Sequence, residues 1–198
     1  MDLKPKLLFS REEMQRLNIE TLKKRGVSVE EIAKIAWDQQ SKYTKDIPFS
    51  VAVESVEKIL TYRDIFHYIQ LGAEIDRLAE EHKFEGPIQD ILFYDLGLFG
   101  VDEVLGLEIA GTYGAIGKTN FGDIDVNKPG IVYTLNERGK NVLGSTVRED
   151  AMCHTMLDDI VGAIAASAST RIAQVMNEEL ASEDPHYQKI SIFDLDNE

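Results

Sequence analysis

The sequence predicts an all-α protein: a single-domain helical bundle with a central C-terminal helix surrounded by other helices. Three observations carry this. Helix-start signals recur at Ser10-x-x-Glu13, Ser28-x-x-Glu31 and Thr61-x-x-Asp64, each a hydroxyl followed three residues later by an acid that can reach back to it. Apolar residues then recur at helical spacing, and no stretch shows the alternation of a half-buried strand. Finally, residues 160–170 (IVGAIAASAST) contain no charge and are small or apolar on every side, as a helix enclosed by others must be.

Residues 1–9 form an N-terminal extension, and the domain spans 10–181. The first helix follows Ser10 and the second follows Ser28, with Ile32, Ile35 and Ala36 as its apolar stripe. Ser50 caps another through Val53, Val56, Ile59 and Leu60. The signal at Thr61 opens a longer helix through Ile65, Tyr68, Ile69, Gly72, Ile75 and Leu78. Gly86-Pro87 ends that element and starts a short helix over about 88–94, because glycine fits just past a helix end and proline fits a first turn. Residues 101–116 read as one helix, in which Gly106, Ala110 and Gly111 allow a close neighbour. Residues 117–127 (GKTNFGDIDVN) are rich in turn formers and read as a loop. A short helix over about 129–136 and a polar loop over 137–150 follow. The last helix covers about 155–180, roughly 40 Å if unbroken, and residues 182–198 form an acidic tail.

A chain of 198 residues can bury roughly 70 % of its unfolded surface without disulfides or structural metals. Its net charge of −14 opposes an electrostatic grip on nucleic acid or anionic lipid, so no nucleic-acid partner is expected and a divalent cation fits better. Cys153 is the only cysteine. The N-terminus lacks the apolar run of a signal peptide, and no window reaches the ~20 apolar residues of a membrane span. A cytoplasmic protein follows, with at most peripheral membrane contact and with self-association left open.

Three acidic groups stand out in the second half: Asp102-Glu103 at a helix start, Asp123 and Asp125 in a glycine-flanked loop, and Asp158-Asp159 at the head of the apolar run. Thr155-x-x-Asp158 is itself a capping box and accounts for Asp158. The next residue points about 100° away, so capping leaves Asp159 unexplained. Hard cations such as Mg²⁺ prefer carboxylate oxygen. If the groups converge, Asp102, Glu103, Asp125, Asp158 and Asp159 could hold one or two ions, with Asp102, Glu103 and Asp159 in catalytic roles. Lys128 would then bind phosphate or balance the acids. Asp123-Ile124-Asp125 lacks the hydrophobic strand that a D-x-D aspartyl nucleophile needs, and the Cys153-His154 pair lacks zinc spacing. The Gly26–Ala33 stretch resembles the start of a helix-turn-helix unit but leads to no basic recognition helix.

Met156-Leu157-Asp158-Asp159-Ile160-Val161-Gly162 resembles the D-D-I-V-x-G segment of the phosphatidylglycerophosphatase A family. Val101-Asp102-Glu103-Val104-Leu105-Gly106 resembles its W-D-E-x-x-G segment, and Asp125-Val126-Asn127-Lys128-Pro129-Gly130-Ile131 its D-x-x-K-P-x-x-I segment, in the family's order. The resemblance to the family at large covers about 88–181. From Ser28 onward the chain is similar to the soluble branch of Gram-positive bacteria, the YutG-like or low-temperature-requirement C group, of which residues 113–122 are typical. The resemblance implies an all-α fold around a central helix and Mg²⁺-dependent hydrolysis of phosphatidylglycerophosphate to phosphatidylglycerol and phosphate, or of a soluble phosphomonoester analogue. The partner would be a phosphorylated small molecule or a lipid head group. The transmembrane segments and G-T-x-G-S segment of membrane-bound members are absent from the matching places. Gly122 stands where members often carry arginine, three residues before the D-x-x-K-P aspartate. Two other classes fit the residues: an all-α nucleotide pyrophosphohydrolase, which uses E-x-x-E and E-x-x-D spacing, and a non-catalytic helical interaction protein whose acids are caps.

Overall fold

The structure, a computed structural model, describes residues 8–96, 100–139 and 152–183, and these residues form nine α-helices and no strand. They are α1 (Arg11–Lys24), α2 (Val29–Ser41), α3 (Phe49–Ile59), α4 (Arg63–Glu80), α5 (Ile88–Phe93), α6 (Val101–Gly111), α7 (Gly114–Asn127), α8 (Ile131–Gly139) and α9 (Leu157–Glu183). Residues 1–7, 97–99, 140–151 and 184–198 lie outside the described residues, and with them most of the predicted extension, polar loop and acidic tail; of the predicted loop, 137–139 belong to α8.

Helices α1 and α2 begin as their sequences dictate. Glu13 N donates to Ser10 Oγ at 3.2 Å while Ser10 N donates to the Glu13 carboxylate at 2.8 Å, and Ser28 with Glu31 repeats the pattern at 3.2 and 2.9 Å. The other predicted caps do not form. Helix α3 starts at Phe49, before Ser50 could cap it, because Pro48 stands extended at the N-cap. The Thr61 hydroxyl instead donates to Lys58 O at the end of α3 (2.7 Å), and α4 starts after Tyr62 without a side-chain cap.

The main correction concerns residues 101–127. The predicted single helix is broken after Gly111, the chain turns through Gly114 at φ +69°, and the predicted loop is helix α7. Packing outweighs the poor helix propensity of this stretch. Gly117, Phe121 and Ile124 form a buried stripe at helical spacing. Phe121 fills the space left by the missing Cβ of Gly106, and Gly117 lies directly against the Ala110 carbonyl. A methyl group at either glycine would overlap those atoms, so α6 and α7 approach more closely than larger residues permit.

Helix α9 is the central element, packed against α2, α3, α4, α6, α7 and α8. Every residue from 153 to 170 is buried. Gly72 on α4 makes room for the Ile160 side chain, and Gly162 receives Ile124, Phe121 and Val132 from α7 and α8. Side chains such as Ile160 and Ile164, each fully buried, contribute on the order of 1.5–3 kcal/mol apiece. Among the described residues no helix is long and apolar enough to cross a membrane.

Candidate active site at the head of the central helix

A helix that starts inside a core cannot leave its first amides to water. At α9 the predicted Thr155–Asp158 box does not supply the acceptors. Thr155 Oγ donates to Leu92 O (2.6 Å), and Asp158 N donates to His154 O (3.1 Å). Met156 N and Leu157 N instead donate to the two carboxylate oxygens of Asp76 at 3.0 and 3.1 Å. Asp76 is fully buried on α4, and nothing in its local sequence marks it as a cap. One turn further along α4, Glu80 accepts from Cys153 N (2.7 Å) and from Arg25 (2.5 and 3.0 Å), and Arg25 also donates to Cys153 O. Burial pushes the Asp76 carboxyl well above the usual range, against the pull of the two amides and Arg25. Burial, with the charge of Asp76, raises the Cys153 thiol to about 12, so it stays protonated and is no nucleophile.

This pinned turn carries Asp158 and Asp159 into a cleft. Lys128 reaches the same place from the end of α7, where its backbone is left-handed (φ +42°), a conformation costing a non-glycine residue roughly 1–2 kcal/mol. Its Nζ donates to Asp125 Oδ1 at 2.6 Å and to Asp158 Oδ2 and Asp159 Oδ1, both at 3.2 Å. Asp102 and Glu103 enter from the first turn of α6, with Glu103 N donating to Asp102 Oδ1 at 2.8 Å.

The cleft holds about 260 Å³ and is lined by all six residues singled out from the sequence: Asp102, Glu103, Asp125, Lys128, Asp158 and Asp159. Asp125 sits in the last turn of a helix and not in a loop. Asp123 points elsewhere, pairing with Lys42 at 3.6 Å and accepting from Asn127. Asp95 and Asn136 also line the cleft and went unrecognised in the sequence, where no helical period or motif marks them.

Six acids thus share one lysine among the described residues. Burial raises Asp158 to about 7, opposed by Lys128. Burial and the neighbouring Asp158 raise Asp159 to about 8. Burial also raises Asp102. Burial alone would lower Lys128, but Asp158, Asp125 and Asp159 reverse that and keep it protonated.

The donor set fits a hard divalent cation. It is all oxygen and strongly negative, and Asp125 Oδ2, Asp159 Oδ2 and the Glu103 carboxylate receive no hydrogen bond among the described residues. Among the described residues no three His, Cys, Asp or Glu side chains are grouped so as to hold a metal ion by themselves. Mg²⁺ does not need such a group, since it is usually held by one or two carboxylates while keeping several waters.

Fold and cleft together define an all-α protein with a carboxylate-lined site built on its central helix. The chain belongs to the phosphatidylglycerophosphatase A family, whose model matches residues 46–174. That span holds every acid of the cleft and starts well before the expected residue 88, yet it leaves out α1 and α2, and hence Arg25. The chain is 41% identical over 165 residues to the uncharacterized protein YpjQ of Bacillus subtilis, covering 83% of this chain and 87% of that protein. With the uncharacterized protein YutG of the same organism it shares 43% identity over 152 residues, 77% of this chain and 86% of that one. The crystal structure of YpjQ matches with a TM-score of 0.76 at 40% identity, over 86% of this chain and 99% of that one. The low temperature requirement C protein from Listeria monocytogenes matches with a TM-score of 0.75 at 37% identity, over 83% and 97%.

Proposed function

We propose that this protein is a Mg²⁺-dependent phosphomonoesterase that hydrolyses phosphatidylglycerophosphate, or a soluble phosphomonoester of the same kind, to the alcohol and inorganic phosphate. The observation that carries this reading is the convergence of Asp125, Asp158 and Asp159 on Lys128, in one cleft with Asp102 and Glu103. Family membership supports the same reaction class.

Asp102, Glu103, Asp125, Asp158 and Asp159 are the residues that would hold the ion. When bound, the ion offsets the charge of acids and phosphate and eases deprotonation of water. Lys128 meets the phosphoryl oxygens, and one of its three N–H bonds to the aspartates is exchanged for a bond to substrate. Asp159, whose Oδ2 accepts no hydrogen bond among the described residues, takes the proton from the attacking water. The water oxygen bonds to phosphorus, the phosphorus–oxygen ester bond breaks, and the leaving alkoxide takes a proton from solvent. No covalent enzyme intermediate is needed. A cleft of about 260 Å³ accommodates a phosphate head and not acyl chains. Leu96 on its wall and the exposed Val101 and Val104 beside it offer an apolar lip to a lipid substrate and to peripheral membrane contact.

The test is phosphate release from phosphatidylglycerophosphate with Mg²⁺, with chelator, and by Asp159→Asn. Wild type should release phosphate only with the metal, and the variant should lose about 10²-fold or more in rate. Full activity after complete metal removal, or an unimpaired variant, would sink the mechanism.

A further inference from the structure

We propose that a second cleft, near the other end of α9, is a binding site for the oxyanion group, phosphate or carboxylate, of a small molecule. Its central residue, Arg171, lies twelve positions beyond Asp159 on the same helix, roughly 18 Å away along the axis. This places the cleft apart from the acids. It holds about 520 Å³ between the end of α3, the junction of α6 with α7, and α9, a size suited to a small ligand.

Arg171 differs from the other buried and half-buried cations among the described residues. Arg25 pairs with Glu80 and Lys128 with three aspartates, whereas the half-buried Arg171 has no carboxylate within ion-pair distance among the described residues. The hydrogen bond it makes goes from Nη1 to the neutral hydroxyl of Ser55, at 3.0 Å. Ser55 is fully buried and donates in turn to Val51 O (2.7 Å), so the guanidinium is held in place while its remaining N–H groups stay available to the cleft. The exposed Lys58, on α3, also lines the cleft and likewise has no acid partner among the described residues. In a chain of charge −14, two cations facing one cleft without carboxylates attached to them leave room for an anion from outside. Glu178 also lines the cleft, two turns past Arg171 on α9.

Tyr62 and Tyr113 supply further donors. Both line the cleft, and burial together with the neighbouring Tyr62 raises the Tyr113 hydroxyl, keeping it protonated. A protonated phenol carries one O–H that it can donate to a bound anion. A planar guanidinium, an ammonium and a phenol O–H around one space make a receptor for an oxyanion, and the guanidinium fork matches phosphate and carboxylate alike.

The test is a titration of the full ¹⁵N-labelled chain with inorganic phosphate and, separately, acetate, following the Arg171 Nε–H and the amides of Tyr113 and Gln174 by NMR. Saturable shifts at millimolar concentration are expected from one or both anions, and the tighter one identifies the preferred group. Binding should persist in Lys128→Ala, weaken about tenfold in Arg171→Gln, which corresponds to 1.4 kcal/mol, and weaken several-fold in Tyr113→Phe, which removes a single hydroxyl. If neither anion shifts these signals, or if Lys128→Ala abolishes the binding while Arg171→Gln and Tyr113→Phe leave it intact, the proposal is overturned.

Discussion

Helices α2 and α9 face the same problem at their N-termini and solve it from opposite sources. In α2 the acceptor for an exposed first-turn amide is Ser28, immediately before the helix, and Glu31 returns a bond to Ser28 N. In α9 the amides are buried, and their acceptor is Asp76, 80 residues earlier in the chain. A local cap is in contact with water and can be replaced by it. A buried tertiary cap has no substitute, so the energetic cost of losing it is larger and falls on the turn that carries Asp158 and Asp159.

Asp76→Ala should therefore be the most damaging change. It strands two buried amides, at about 1–3 kcal/mol each, and a loss of roughly 3 kcal/mol or more is expected by urea denaturation. A loss as small as that of a surface cap would remove the contrast between the two helices.

Lys128→Met comes next, since it leaves Asp125, Asp158 and Asp159 without their cation. Breaking a partly buried ion pair in this way costs about 2–3 kcal/mol after allowance for solvent, and the cost should depend on pH. Asp158 and Asp159 are raised to about 7 and about 8 in the folded chain, so the folded state holds more protons than the unfolded one above the ordinary carboxylate value. Metal-free stability consequently falls as pH rises from about 4 toward 8 and levels off above that. The fall should be steeper in Lys128→Met and shallower for wild type in Mg²⁺. Thermal melts across this range would show it, and stability that rises with pH would contradict the assignment.

Ser28→Ala probes the local side of the comparison and should cost about 1 kcal/mol, with no effect on α9. The smallest effect is expected at Gly122, which is exposed in α7 and has no neighbouring atom within 4 Å of the place a Cβ would take. Replacing it by alanine should raise stability by about 0.5–1 kcal/mol. The arginine common in the family at this place should be tolerated equally well and, one turn before Asp125, should strengthen phosphate binding at the acid cleft.

Which parts were legible in the sequence follows the same division. Ser10, Glu13, Ser28 and Glu31 announce α1 and α2 because a capping box is complete within four residues. The uncharged run over 160–170 announces a central helix because hydrophobic burial depends on composition and period. The acid cleft was legible in part: adjacent carboxylates at helix starts are costly unless something compensates them, and all six named residues line it, but Asp95 and Asn136 carry no such signal. Helix α7 was misread because Gly117 and Gly122 weaken its local propensity, while its stability comes from Phe121 seated over Gly106. Thr155 looked like a cap, yet Leu92 O takes its hydroxyl.

The sequence by itself determined the helical class, the central helix and the identity of the charged groups, since periodicity, composition and short-range hydrogen bonding involve neighbours along the chain. Only the tertiary structure decided that α7 is a helix, that Asp76 starts α9, that Lys128 joins three aspartates and that Arg171 faces a cleft of its own. Each of these depends on groups tens of residues apart, whose meeting is set by how the helices pack and not by what precedes or follows them.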